Sequence, residues 1–198
     1  MDNEQKSQEI APVPDFDVKS SIEMLLKITA GNDHRLSDMA DNKAQILITV
    51  NSIILSAIVS LGLGRFKEAR YLIIPSLILL GTSLVTLILA ILATRPSLPN
   101  GKFTDYDLSA KKVNLLFFGN FYKMKMKDYS AGMTHVLCDN DFLYQSLIKD
   151  EYTQGVVLGR KYRLLRAAYN VFMFGLIIVF LAFLQSMIWH DTLNQLAK

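Results

Sequence analysis

The sequence predicts an all-α membrane protein: three transmembrane helices, with a small helical cytosolic region made by an N-terminal helix, the 94–166 segment and the extended stem of the third span. Three observations carry this. Of 198 residues, 51% are hydrophobic and mean hydropathy is +0.26, with the apolar excess gathered into blocks 44–63, 71–93 and 167–189. None of the three blocks holds a charged side chain, and about 20 such residues at roughly 1.5 Å each span a hydrocarbon core. The basic residues are also unevenly placed. Segments 1–43 and 94–166 hold 17 Lys and Arg, against 4 in 64–70 and 190–198. By the positive-inside rule this predicts a cytoplasmic N-terminus and middle segment, with the C-terminus outside.

Residues 1–16 are acidic and polar with two prolines, and lack the basic start and apolar run of a signal peptide. They predict a disordered cytosolic end. In 17–43, Val18, Ile22, Leu25, Leu26 and Thr29 recur at helical spacing, with Asp17 placed to cap the helix. Gly31, Asn32 and Asp33 predict a break, after which Asp33 caps a second, longer helix. That helix enters the first span at 44–63, which Gly62 and Gly64 close before a short outer link, 64–70. Pro75 falls near the start of the second span, 71–93, where a missing N–H costs little. Arg95, Pro96 and Pro99 end it.

In the 94–166 region, NLLFFG at 114–119 reads as a strand or a buried extended link, with helical patterns resuming near Asn120 and Asp139. From Asp141 no proline interrupts the chain through the third span, 167–189, to an outer tail at 190–198. A single cysteine, Cys138, rules out an internal disulfide and reads as a small core residue. Residues 1–43 carry net −4 and 94–166 net +5, so the two pieces are suited to dock.

Between Arg35 and Ser60 a polar stripe runs along one side of the first helix, through Asn42, Gln45, Thr49, Ser52, Ser56 and Ser60. It reads either as the packing surface of membrane helices or as the lining of a hydrated path. Ser76, Ser83, Thr86 and Ala90 give the second span a packing face. Arg160, Lys161, Arg163 and Arg166 precede the third span. They read as a lipid-phosphate anchor or as an anion site. Gly155 and Gly159, at small-xxx-small spacing, predict a close neighbour, with the 35–43 stretch as candidate. Asp105 and Asp107 lack the further ligands a divalent ion needs, and His34, His135 and His190 are scattered, so no metal site is expected. No nucleotide-binding glycine loop or nucleophile triad setting is present, and the expectation is a protein that is not an enzyme and has no resident cofactor.

Three stretches carry a resemblance: ADNKAQILITVNSIILS at 40–56, NLLFFGNFYKM at 114–124, and DEYTQGVVLGRKYRLLRAAYNVF at 150–172. Together they resemble the transmembrane effectors of Pycsar, the bacterial antiphage system that signals with cyclic pyrimidine mononucleotides, over about 22–184 of the chain. The resemblance implies a multi-pass protein of the bacterial inner membrane that senses cyclic CMP or cyclic UMP made by a partner cyclase. On activation it would oligomerise or repack and impair the membrane, with lipid and copies of itself as partners and no nucleic acid. The usual cyclic-nucleotide β-barrel with its phosphate cassette is not legible in 94–166, so a helical site is expected. Its candidates are Asn42 and Gln45 for the pyrimidine edge, Arg160, Lys161 and Arg163 for the phosphate, and Tyr122 or Tyr162 for stacking. The rival expectation is a non-conducting membrane scaffold or regulatory protein that binds a cytosolic partner.

Overall fold

The computed structural model describes residues 18–65, 70–96 and 114–196, and among them there is no strand. The helices are α1 (Val18–Arg65), α2 (Ile73–Thr94, entered through a 3-10 turn at Arg70–Leu72), α3 (Phe118–Phe121), α4 (Met126–Cys138) and α5 (Asn140–Leu196). Three of them, α1, α2 and α5, are long and apolar enough to cross a membrane. The expectations for 1–16, Asp17, Pro99, Asp105 and Asp107, and the middle of the outer link lie outside the described residues.

Length separates α2 from its neighbours. It has 22 residues, about 33 Å at 1.5 Å per residue, enough for a span and little more. With 48 and 57 residues, α1 and α5 run to about 72 and 86 Å, so each continues past the span as a polar stem. The break expected at Gly31–Asp33 does not occur, and α1 is continuous through it. A helix-interior glycine costs about 1 kcal/mol, a local penalty too weak by itself to end a helix. Asp33 is therefore not a cap; its side chain faces the stem of α5. At the end of α2 the chain does stop as expected. Arg95 takes φ −64°, ψ 127°, the extended shape that the following Pro96 imposes.

α1 and α5 run parallel, with α2 antiparallel between their spans and packed most extensively on α5. The three meet at Ala40, Ala44 and Leu47 of α1, Ala90 and Ala93 of α2, and Leu165 and Ala168 of α5, all buried. Five of these are alanines whose methyls leave backbones close together, the arrangement helices adopt where lipid gives no hydrophobic drive to associate. Of the α2 packing face expected from Ser76, Ser83, Thr86 and Ala90, the last three are buried and Ser76 is half-buried, and Thr86 satisfies its hydroxyl on the Thr82 carbonyl at 2.8 Å. At the far end Ser186 donates to the Tyr71 carbonyl, and the rings of Tyr71 and His190 lie 4.3 Å apart.

A small second cluster sits on the α5 stem: Leu115, Val136 and Phe142, with Met124, Tyr129 and Met133 against it. Cys138, expected in a core, is exposed; Val136, two residues earlier, takes the inward position as α4 ends. The NLLFFG run is a buried link at Asn114 and Leu115 that turns directly into α3.

The glycine reading also changes. A Cβ at Gly155 or Gly159 would meet nothing within 4 Å, so neither marks a close neighbour within the chain. Gly175 does, because a Cβ there would lie 2.8 Å from Thr82 Cγ2 and 2.9 Å from its Cβ. Thr82 is β-branched, and its hydroxyl is tied to the Leu79 carbonyl at 3.0 Å, so it cannot swing aside freely. Gly175→Ala is expected to destabilise the α2–α5 pair by about 1–3 kcal/mol, the usual scale of overpacking. Gly155→Ala should be neutral or gain up to about 1 kcal/mol of helix propensity. Thermal unfolding of both variants in detergent checks the contrast.

Candidate functional site

The polar stems of α1 and α5 are joined by specific bonds. From α5, the Lys161 ammonium donates to Ser37 Oγ and to Asp41 Oδ2, each at 2.8 Å. Lys161 is 15% exposed and Asp41 43% exposed, so one end of the pair is shielded and the other wet. Next to it the Tyr162 phenol donates to the Leu36 carbonyl at 3.1 Å while its ring packs on the alanine cluster. Two turns further on, Tyr169 donates to the Lys43 carbonyl at 3.5 Å. The expected attraction between the acidic first segment and the basic middle one is seen in the Lys161–Asp41 ion pair between the stems.

A second arrangement is organised by Asn114. Its Nδ2 donates to Asp150 Oδ1 at 3.1 Å, its Oδ1 accepts the Leu116 N–H at 3.0 Å, and its carbonyl accepts Asn120 Nδ2 at 2.7 Å. One asparagine therefore ties the 114–117 link to α5 and to α3. Asp150 in turn accepts from Gln154 Nε2 at 2.6 Å, one turn along α5. The effect is to hold Phe117 and Phe118 against the stems.

Two adjoining open cavities lie beside these bonds. One, about 240 Å³, is lined by Ala93, Arg95, Pro96, Val157, Arg160 and Lys161 among others. The other, about 320 Å³, lies between Asp33, His34 and Ser37 of α1, Phe117 and Phe118, and Gln154 of α5. Pro96 and Val157 line both, so the two meet there. Arg95 and Arg160 form no ion pair among the described residues, whereas Lys161 is held by Asp41.

Of the residues singled out from the sequence, Arg160 and Lys161 come to this place. Tyr162 is nearby but bonded to the α1 backbone. Arg163 is exposed on another side of α5 and lines neither cavity. Asn42 and Gln45 are exposed, turned from the Ala40–Ala44–Leu47 face by which α1 packs. Tyr122 is exposed beyond the end of α3, with the Lys123 ammonium 5.0 Å from its ring centre. Thr49, Ser52, Ser56 and Ser60 all face outward from the three-helix bundle. The hydroxyls of Thr49 and Ser56 bond back to the Gln45 and Ser52 carbonyls, each at 2.9 Å. Sequence reasoning missed Arg95, Phe117 and Phe118 as lining residues, although the double Phe beside a buried Asn was visible.

Inside the span, Asn51 is fully buried on the packing side of α1. Its Nδ2 donates to the Leu47 carbonyl at 2.8 Å, and its Oδ1 has no hydrogen-bond partner among the described residues.

Further along the stems, Glu151 lines a separate open cavity with Glu23, Lys27 and Asp150. Loss of solvent pushes the Glu151 carboxyl above the usual carboxylate range, Asp33 and Asp150 push it further, and His34 offsets part of this. Its Oε1 is buried without a hydrogen-bond partner among the described residues. Because the folded value is raised, protonation favours the packed stems: the contribution is present below the ordinary Glu range and is lost as pH rises through the raised value. Glu151→Gln is therefore expected to stabilise the protein at pH 7 by about 1–3 °C in melting temperature, modest because the group is partly exposed. The gain should vanish near pH 4, about where an ordinary Glu is itself half protonated. Melting curves of both proteins across pH check the sign.

Comparison with known families adds one finding. A sequence model of the Pycsar effector protein domain (PycTM) matches residues 24–187. No curated protein and no solved structure matches the chain. The matched range runs from the α1 stem through all three candidate spans and takes in every residue that lines the two cavities.

Proposed function

The chain belongs to the Pycsar effector family, and on that premise we propose that it is the membrane effector of a Pycsar-type antiphage system, switched on by cyclic CMP or cyclic UMP to impair the inner membrane of the infected cell. It acts without catalysis, as a sensor whose output is a change in helix packing. The N-terminus and 94–166 lie in the cytoplasm, where a partner cyclase releases the nucleotide, and the C-terminus lies outside.

One observation supports this reading above the others. The stems that meet through Lys161, Asp41, Ser37 and Tyr162 are continuous with the spans of α1 and α5. A shift at the stem junction is therefore passed into the membrane by unbroken helix. Such coupling works only if the nucleotide binds one packing state better than the other, and a roughly tenfold preference corresponds to about 1.4 kcal/mol.

Self-assembly gives the shift its effect. The outward stripe of Gln45, Thr49, Ser52, Ser56 and Ser60 is small and polar, suited to close packing against further copies of the helix. Since Thr49 and Ser56 satisfy their hydroxyls on their own helix, the stripe tolerates lipid in a resting single chain. It becomes an interface once the stems move. No selective filter is required for the outcome, since loss of the ion gradient suffices.

The purified chain reconstituted in vesicles loaded with a self-quenched dye is expected to release dye on addition of micromolar cyclic CMP or cyclic UMP, and not with the linear 5′-monophosphates. Bound nucleotide without release of dye or of smaller ions would replace this reading with that of a non-conducting scaffold.

A further inference from the structure

We propose that the cyclic nucleotide occupies the joined cavities at Pro96 and Val157, its phosphodiester held by Arg95 and Arg160 and its pyrimidine ring set against Phe117 and Phe118. This rests on the ligand class proposed above and adds where, and by which groups, that ligand is held.

The chemistry divides between the cavities as the ligand does. A cyclic mononucleotide is a phosphodiester monoanion fused to a ribose, with a flat ring at the other end. The smaller cavity carries Arg95, Arg160 and Lys161 on its wall. Lys161 is bonded to Asp41, which leaves the two guanidinium groups, without ion pairs among the described residues, as the anion donors. Guanidinium presents paired N–H groups that match two phosphate oxygens. The larger cavity carries two phenylalanine rings with Asp33, His34, Ser37 and Gln154 near them. Rings supply a stacking surface for a base, and the polar groups offer both donors and acceptors to a pyrimidine edge. At about 240 and 320 Å³, the two together reach the usual size of small-molecule sites, roughly 300–1,000 Å³.

The location also explains how binding is felt. The wall residues come from the α1 stem (Asp33, Ser37), the end of α2 (Arg95, Pro96) and the α5 stem (Val157, Arg160). One ligand there touches the polar ends of all three spans. Arg160 also precedes Lys161 directly, so drawing Arg160 toward a phosphate moves the residue that clamps Asp41. Stacking on Phe117 and Phe118 pulls on the segment that Asn114 fastens to Asp150.

A phospholipid headgroup shares the phosphodiester chemistry, so the experiment separates the two sources. Calorimetric titration of the full chain in detergent with cyclic CMP and cyclic UMP is expected to show binding of at least one. Arg95→Ala with Arg160→Ala should weaken it about 100-fold, at roughly 1.5 kcal/mol or more for each lost charged contact. Phe117→Ala with Phe118→Ala should weaken it about tenfold or more, and Arg163→Ala should leave it unchanged. If neither nucleotide binds the unaltered chain, the ligand class and the site are both overturned. If a nucleotide binds and the Arg95–Arg160 double variant binds equally well, the site alone is overturned. The same follows if, in nanodiscs, that variant alters only the effect of phosphatidylglycerol over phosphatidylcholine and leaves nucleotide affinity intact. Photo-crosslinking of the unaltered chain with 4-thio cyclic UMP does not depend on any variant folding. Label on the peptide holding Phe117 and Phe118 supports the site; label confined to other peptides overturns it.

Discussion

Everything at the polar end depends on how closely three helices approach at Ala44, Ala90 and Ala168, each fully buried. Side chains as small as a methyl let the backbones come together in this way, and that closeness sets the spacing of the stems beyond. With the stems this near, one lysine side chain reaches two oxygens on α1, and a tyrosine reaches a backbone carbonyl. Larger side chains at the crossing would part the stems and take the ion pair and both cavities with them. Small residues are thus a structural requirement of the site although none of the three need touch a ligand.

Polar groups inside the spans are handled in two ways. Thr49, Ser56 and Thr86 satisfy themselves by bonding to a carbonyl one turn back, which lets them face lipid or a neighbour at little cost. Asn51 donates from its amide nitrogen in this manner, while its buried oxygen has no hydrogen-bond partner among the described residues. An unmade hydrogen bond in a dry site costs about 1–3 kcal/mol, so the bundle holds some instability at the depth of Asn51. Glu151 is the stem counterpart: a carboxylate placed near two others, with one oxygen lacking a hydrogen-bond partner among the described residues. Both features weaken a single resting packing, a property suited to a protein whose proposed work is to repack. The long stems of α1 and α5 and the short α2 fit the same picture, because only the first and last spans extend far enough to carry a signal inward.

The three spans and the all-α class were legible in the sequence because membrane crossing is a local property, set by the length of each charge-free block and independent of which helix lies beside it. The continuity of α5 was legible for the same reason, since no proline interrupts it. Arg160 and Lys161 stood out because four basic residues gather within 160–166, just before an apolar block. The proposed break at Gly31 failed since a glycine penalty of about 1 kcal/mol is too weak by itself to end a helix. What only the tertiary structure decided was partnership: that Gly175 rather than Gly155 or Gly159 meets a neighbour, and that Asn42, Gln45 and Arg163 turn away from the junction. It also decided that Arg95, Phe117 and Asp33, far apart in the chain, come to the joined cavities. Those facts depend on how α1, α2 and α5 are rotated about their own axes. Interlocking side chains on several helices fix those rotations together, and no single segment contains them.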